Sequence, residues 1–563
     1  MSDAVWVVQP PRAEAEALAQ ALDIPPAIAR VLVNRKITTE EQAREFLFGD
    51  LTKLHDPYLM KDMEKAVARI GQALERREKI LIFGDYDVDG VLSTVMLKKA
   101  LTTLGADVEY FIPERLTDGY GIKDEHVCIP VERGARLVIS VDCGIKSVEF
   151  TARAREQGVD VIITDHHRPG DSLPDAVAVL NPVVPGSGYP DTSLAGVGVV
   201  FKLIQALLAK AGKDTGLKHY MKLVAIGTVA DVAELKGENR LFVKQGLKGL
   251  RDVANPGLRS LIEVCGLGRR KISEGDLGFR IGPRINAAGR MGMTDLAVRL
   301  FFSEDPAETL ELVQKLDDLN ARRQKTEEKI FNEARDRVEE RKLDEKYKCL
   351  VLGSPDWHRG VIGIVASKLK DRFNRPVILF HYENGKAHGS GRSISDVPLI
   401  DLLEDCKSHF LSYGGHRLAV GCTLATDGIP AFKADLNRLA AERITDESLK
   451  RKIKIDAPLA FPAIDERLLS TLALLVPFGV GNPKPLFMAE NVEIISEPRV
   501  LQGKHLKFLA RNEGKVFEAL CWDKADWRHV ARRGSRVSIA FSLMTSEYMG
   551  EQRTNLSVED LKV

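Results

Sequence analysis

The stretch FGDYDVDG (83–90) places Asp85, Asp87 and Asp89 at alternate positions and closes them with Gly90. An EF-hand calcium loop opens the same way, with oxygen ligands at its first, third and fifth positions and a glycine at the sixth. A calcium loop does not fit here. Its twelfth position would be Met96 instead of a bidentate glutamate, and Ile80-Leu81-Ile82-Phe83 ahead of it reads as a buried strand. Acids just past an apolar strand sit where open α/β sheets build their sites, at the carboxyl ends of the strands. Other apolar runs end in the same kind of residue. RLVISV leads into Asp142, Cys143 and Gly144, VDVIIT into Asp165, His166 and His167, and a fourth candidate run, AIGTVADVAEL, supplies Asp231. One D-x-D after a strand is ordinary turn chemistry, and one His-His pair is ordinary packing. Several such groups at one end of successive strands form a constellation. Carboxylates this close repel one another or take up protons unless cations balance them. Two divalent ions would balance four aspartates, and a pair about 3.5–4 Å apart suits in-line displacement at phosphorus. Oxygen ligands favour Mg2+ or Mn2+, and a histidine tilts the preference toward Mn2+.

To converge, the acid-bearing strands must lie parallel. From residue 63 to 240 helical stretches alternate with KILIF, VEYFI, RLVISV and VDVIIT, the pattern of βαβ units around a parallel sheet. The expected fold class is therefore α/β, with a parallel-sheet catalytic domain over 56–302. Ahead of it, 1–55 predicts a helical cap in which ITTEEQAREFL offers a capping-box start. The segment 241–302 is mixed and ends in a turn-rich, basic FRIGPRINAAGRMG. Leu312, Leu316, Leu319, Ile330 and Val338 recur near helical spacing in a charged stretch, so 303–347 predicts one long connecting helix. A second α/β domain follows over 348–449. Over 450–563 short strands separated by turns predict a small β-barrel, with the OB-fold leading.

A chain of 563 residues exceeds what one core can organise. Lys and Arg number 81 against 80 Asp and Glu, so binding of a polyanion must rest on local patches and not on overall charge. Two patches stand out: 269–290, with six basic residues and two acids, and 499–515, with five and one. The seven cysteines form no C-x-x-C, which argues against a disulfide framework or zinc knuckle and fits reduced thiols. The start lacks a leader pattern, and no uncharged apolar run approaches the ~20 residues of a membrane span, so a cytoplasmic protein is expected.

In order along the chain, FGDYDVDG, VDCG, TDHH and GTVADV resemble the four motifs of the DHH phosphoesterase superfamily. YGGHRLAVGCT (413–423) resembles the glycine-histidine motif of its associated DHHA1-type second domain, and the whole layout is similar to the family's single-strand-specific exonucleases. The resemblance implies Asp87, Asp89, Asp142, His166 and Asp231 as ligands of two Mn2+ or Mg2+ ions, with Asp85 beside them. Within the triplet, neighbouring side chains are expected on opposite sides. His166 would then face the metals and His167 the scissile phosphate, with Asp165 orienting an imidazole. The family's histidine four residues before the first ligating aspartate is replaced here by Phe83.

For substrate, the resemblance points to Arg115 and Tyr120 in PERLTDGYG and to Ser390, Gly391 and Arg392 in HGSGRS near His416. Arg280, Arg284 and Asn286 of the basic stretch are expected as a phosphate track, and Phe508, Phe517 and Trp522 of the barrel as base-stacking groups. The implied function is metal-dependent 5′-to-3′ hydrolysis of single-stranded DNA in recombination and repair. A monomer working with a single-strand-binding protein and a helicase is implied too. Three rivals are a DHH phosphodiesterase on oligoribonucleotides or cyclic dinucleotides, a DHH pyrophosphatase, and a non-catalytic DNA-binding scaffold. The first two resemble only the first two lobes, and a scaffold's acids would have decayed.

Overall fold

The apolar runs ahead of the acids fold as expected into strands of one parallel sheet. These are β1 (Ile80–Gly84), β2 (Val108–Phe111), β3 (Leu137–Val141) and β4 (Asp160–Thr164), extended by β5 (Ala178–Leu180). The sheet order is β2-β1-β3-β4-β5. The chain therefore runs outward from β1 to β2 and then crosses back to β3, leaving a crevice at the carboxyl ends of β1 and β3 where such sheets take ligands. Asp85–Asp89 follow β1, and Asp142 follows β3. Helices α1 (Val88–Thr103) and α2 (Gly196–Lys210) pack on this sheet, and α3 (Met221–Ala230) packs against both. Phe83 is fully buried among Phe111, Phe150 and His126, so its ring belongs to the core.

The computed structural model describes residues 4–114, 119, 121–268, 270–548 and 551–563. Two of its elements differ from the sequence expectation. AIGTVADVAEL is not a strand: its first six residues, Ala225–Ala230, close α3, most of which is buried, and Asp231 is that helix's C-cap. A short continuous apolar run does not distinguish a buried strand from a buried helix. The turn-rich FRIGPRINAAGRMG is also helical, a π-helical turn Leu277–Ile281 running into α4 (Gly282–Arg290). The connecting helix is present as α5 (Pro306–Glu340), where the Asp305 side chain accepts from the Ala307 amide at 2.9 Å and the predicted apolar stripe is buried.

Beyond α5 a second sheet is built from β6 (Leu350–Ser354), β7 (Val377–Glu383), β8 (Lys386–Arg392), β9 (Ser412–His416) and β10 (Ala419–Ala425), in the order β9-β10-β8-β7-β6. Helix α6 (Ile362–Phe373) links β6 to β7. HGSGRS is thus strand β8, paired on both edges, and the Gly-Gly-His stretch is strand β9. Both lobes fall in one compact unit, Lys53–Leu449.

The other unit joins Met1–Thr52 to Lys450–Val563. Strands β11 (Phe487–Ile494), β12 (His505–Asn512), β13 (Lys515–Cys521), β14 (Arg536–Tyr548) and β15 (Glu551–Lys562) run in the order β11-β14-β15-β13-β12, and β12 pairs with β11 to close the barrel. The three N-terminal helices are not a separate cap. Leu18, Ile28, Leu32 and Leu47 share one core with Phe461, Leu506, Phe508 and Phe541 of the barrel. Thr39 and Gln42 form the predicted capping box. Phe508 is core and Phe517 packs against it, so of the three aromatics expected to stack on bases Trp522 is the exposed one, at 48%. Among the described residues no helix is long and apolar enough to cross a membrane.

Candidate active site

The crevice gathers the predicted acids at one point. Asp87 caps α1, its Oδ1 accepting from the Gly90 amide at 3.1 Å, and Asp89 lies in that helix's first turn, fully buried. Gly90 is required because a Cβ there would meet the Asp85 carbonyl oxygen at 2.5 Å. Asp89 is aimed from the other side by the start of α2, whose Gly196 and Val197 amides donate to its oxygens at 2.8 and 2.6 Å. Asp142 leaves β3 in the left-handed conformation, φ 60°, which turns its carboxylate against Gly196; a Cβ at Gly196 would lie 2.8 Å from Asp142 Oδ1. Gly196 was not foreseen from the sequence, although a glycine opening an apolar helix in AGVGVV was the available signal.

His166 Nε2 stands 3.2 Å from Asp142 Oδ1, 3.9 Å from Asp231 Oδ2 and 4.0 Å from Asp89 Oδ2. Among the described residues three groups could hold a metal ion, each with its candidate ligand atoms within 4.8 Å of one another: Asp89 with His166 and Asp231, Asp85 with Asp87 and Asp142, and Asp142 with both histidines. Asp85 therefore reaches the ligand oxygens themselves. The DHH triplet does not split its two rings to opposite sides. Asp165 accepts both following amides, His166 at 2.7 Å and His167 at 3.0 Å, which curls the chain and leaves the ring centroids 4.4 Å apart. Asp165 Oδ1 also pairs with His167 Nδ1 at 2.8 Å.

The electrostatics show what this cluster lacks. Burial, then Asp87, pushes Asp89 up to about 7, and burial with the neighbouring aspartates holds Asp142 and Asp231 well above the usual carboxylate range. Burial and the charge of His167 pull His166 down to about 4, so its ring is neutral and has a lone pair to give. Burial opposes charging of His167, yet its bond to Asp165 prevails and raises it; the same bond outweighs burial and lowers Asp165. Asp142 Oδ1 and His166 Nε2 are both buried with no hydrogen-bond partner among the described residues. Orphaned buried donors of this kind, in an oxygen-rich set with one imidazole, fit divalent Mn2+ or Mg2+.

Beside the cluster, a cleft of about 1000 Å³ lies between the two lobes of this unit, lined by Asp165 and His167 on one wall and by Ser390, Arg392 and His416 on the other. Gly363, at the start of α6, admits the close approach of Ser390, whose Oγ would lie 2.8 Å from a Cβ there. Arg392 Nη1 donates to the Gly391 carbonyl at 2.8 Å. Sequence reasoning missed Lys146, Arg168, Arg290 and Arg359, which also line the cleft. Lys146, Arg168 and Arg359 are exposed and make no ion pair among the described residues. Burial together with Lys146 and Arg168 lowers His416. The basic residue before two spaced glycines in HRGVIG, opening a helix after a strand, was a legible hint of an anion site.

Other predicted contacts do not reach the cleft. Arg284 Nε is bound to Asp317 Oδ1 at 2.8 Å, and Arg280 faces Asp276 at 3.5 Å, because the acids of α5 and of the preceding turn neutralise this basic stretch internally. Asn286 Oδ1 instead accepts the Val88 amide at 3.2 Å and braces the first motif. Gly391 faces inward, where a Cβ would strike Val420 at 2.5 Å. Arg115 and Tyr120 lie outside the described residues.

Three family models match this chain: the DHH family N-terminal domain over 79–228, the DHHA1 domain over 345–442 and the RecJ OB domain over 455–560. The chain is 38% identical to the single-stranded-DNA-specific exonuclease RecJ of Bacillus subtilis, over 99% of this chain and 71% of the relative. It superposes on the crystal structure of RecJ from Thermus thermophilus in complex with Mn2+ with a TM-score of 0.86, at 33% identity, covering 100% of this chain and 80% of that one. Against the Mg2+ complex of the same protein the TM-score is 0.79 at 32% identity, with coverage of 100% and 79%. With the motif order, the strand-end acids and the domain sequence all in agreement, the chain belongs to the RecJ family of the DHH superfamily.

Proposed function

We propose that this chain is a metal-dependent exonuclease that hydrolyses phosphodiester bonds of single-stranded DNA from the 5′ end, in recombination and repair. The observation that carries the chemistry is the pair of orphaned buried atoms, Asp142 Oδ1 and His166 Nε2, inside a ring of aspartates and beside a cationic cleft. Asp87, Asp89, Asp142, His166 and Asp231, with Asp85 alongside, hold two Mn2+ or Mg2+ ions. When bound, the ions supply the positive charge the carboxylates lack and polarise the phosphate under attack. The α2 amides keep Asp89 aimed, so the ligand geometry is set before substrate arrives.

His167, paired with Asp165, lies against the cleft; its ring holds a phosphate oxygen and can pass a proton to the leaving oxygen. Ser390, Arg392 and His416, with Lys146, Arg168 and Arg359, receive the terminal phosphate, as the start of α6 favours an anion. An anchor for a strand end beside the hydrolytic centre is what restricts cleavage to terminal nucleotides. In this division 56–302 holds the metals, 303–347 connects, 348–449 anchors the end and 450–563, with 1–55 in its core, binds the strand through Trp522 and the basic patch at 499–515. The proposal extends to a cytoplasmic monomer assisted by a single-strand-binding protein and a helicase.

The test is digestion of single-stranded DNA labelled differently at its two ends, with Mn2+, Mg2+ or EDTA, beside a blunt duplex. Stepwise release from the 5′ end of the single strand alone, abolished by EDTA, is expected. Tight binding without hydrolysis under any ion would turn the assignment to a scaffold.

A further inference from the structure

Phe279 is 86% exposed, the most exposed large apolar side chain among the described residues, and Val232 is 64% exposed. Exposed apolar residues scattered singly are normal. These two are not scattered. The π-helical turn that carries Phe279 packs on the last turn of α3: Gly278 lies against Val229 and Gly282 against Ala230, where Cβ atoms would come within 3.5 and 3.3 Å. Asp231 and Val232 follow directly, and Val232 is held at φ 63°, an outlier for a β-branched residue. Neither Asp231, Val232 nor Phe279 lines the large cleft, whose wall reaches the cluster at Asp165 and His167. Phe279 and Val232 therefore belong to segments that pack together next to Asp231 and lie outside the lining of the cleft. π-Helical turns inside helices recur at functional sites. Arg280 follows Phe279 directly in the chain, and it and Arg270 keep their side chains 49% and 48% exposed although both contact Asp276. An aromatic face among cations is how a single strand is held without regard to sequence.

An enzyme that cuts a chain must hold it on both sides of the broken bond. The cleft holds one side. We propose that Phe279 is a stacking platform for a base of the strand on the other side of the metal centre, with Arg280 beside it for the backbone. This rests on the single-strand nuclease assignment above.

The experiment places 2-aminopurine at successive positions of a single-stranded oligonucleotide and follows its fluorescence on binding to the Asp142→Ala protein and to that protein carrying Phe279→Ala or Phe279→Trp. Quenching at one position, lost with Phe279→Ala together with about tenfold weaker binding and restored by Phe279→Trp, is expected. With Asp142 intact, Phe279→Ala should raise KM for single strands by a similar factor and leave kcat at saturation within twofold. An unchanged quenching pattern and affinity in Phe279→Ala overturns the platform while the nuclease assignment stands. Failure of the parent protein to bind or cut single strands removes both. Because Phe279 is exposed, thermal melting of each variant should match its parent, and a lowered melting point with an intact quenching pattern also counts against the platform.

Discussion

Two buried clusters of ionisable groups lie within the same lobe, and they are resolved in opposite ways. In one, Lys202 Nζ meets Glu238 Oε1 at 2.9 Å with both side chains fully buried, and Tyr189 donates to the other Glu238 oxygen. The same pair takes the amide of His55 at 3.0 Å and gives to its carbonyl at 2.6 Å, while Asp191 receives the Glu238 amide at 2.7 Å. Burial still lowers Lys202, but each charge has an opposite charge and hydrogen bonds around it. In the other cluster, Asp85, Asp87, Asp89, Asp142 and Asp231 outnumber the two imidazoles beside them, and Asp142 Oδ1 and His166 Nε2 have no hydrogen-bond partner among the described residues. A compensated cluster fixes a structure. An uncompensated one is maintained by the fold around it and waits for a ligand of opposite charge.

The largest effect should come from Asp142→Ala. Turnover should fall at least about a thousandfold, on the order of 4 kcal/mol of transition-state stabilisation, while metal-free stability stays level or rises as repulsion is relieved. A variant that still digests single strands at the parental rate would remove Asp142 from the centre.

Glu238→Ala should act the other way, costing about 3–5 kcal/mol of stability because Lys202 is left buried and unpaired. Urea unfolding measures it, and joint replacement of both residues by apolar ones, Lys202→Met with Glu238→Leu, should recover most of the loss. If the single and double variants unfold alike, the two residues do not act as a compensated pair.

Divalent ion should sharpen the contrast. At about a hundred times its dissociation constant, Mn2+ should stabilise the protein by about 2.7 kcal/mol, and this gain should vanish in Asp142→Ala but persist in Glu238→Ala. Equal gains in both variants would place the ion elsewhere.

The smallest effect joins the clusters. Asp191 also accepts the Ser193 amide at 2.9 Å, in the loop that leads to the Gly196 and Val197 amides on Asp89. Asp191→Ala should cost about 1–2 kcal/mol of stability and weaken Mn2+ binding several-fold, as titration calorimetry can show. Unaltered Mn2+ affinity would mean that the loop is held by its other contacts.

Much of the site was legible because its residues stand beside the strands that place them. Asp85, Asp87, Asp89, Asp142 and the Asp165-His166-His167 triplet each follow an apolar β-branched run, and a parallel sheet brings such ends together whatever the remaining packing. The long helix, the capping box at Thr39 and the short strands of the barrel were likewise local in origin, carried by periodicity, caps and turns.

What the tertiary structure alone decided has one physical cause: contacts between residues far apart in the chain, which no local pattern carries. Whether AIGTVADV became strand or helix depended on what covered it, and its apolar start became the end of a mostly buried helix. Arg284 of the basic stretch is paired with Asp317, 33 positions away on another helix. The N-terminal helices took their core from a barrel at the far end of the chain. The cleft's cations, Lys146, Arg168 and Arg359, come from separate loops and meet only once the two lobes are folded. Sequence determined the chemistry at the strand ends; long-range packing determined which charges were left free to use it.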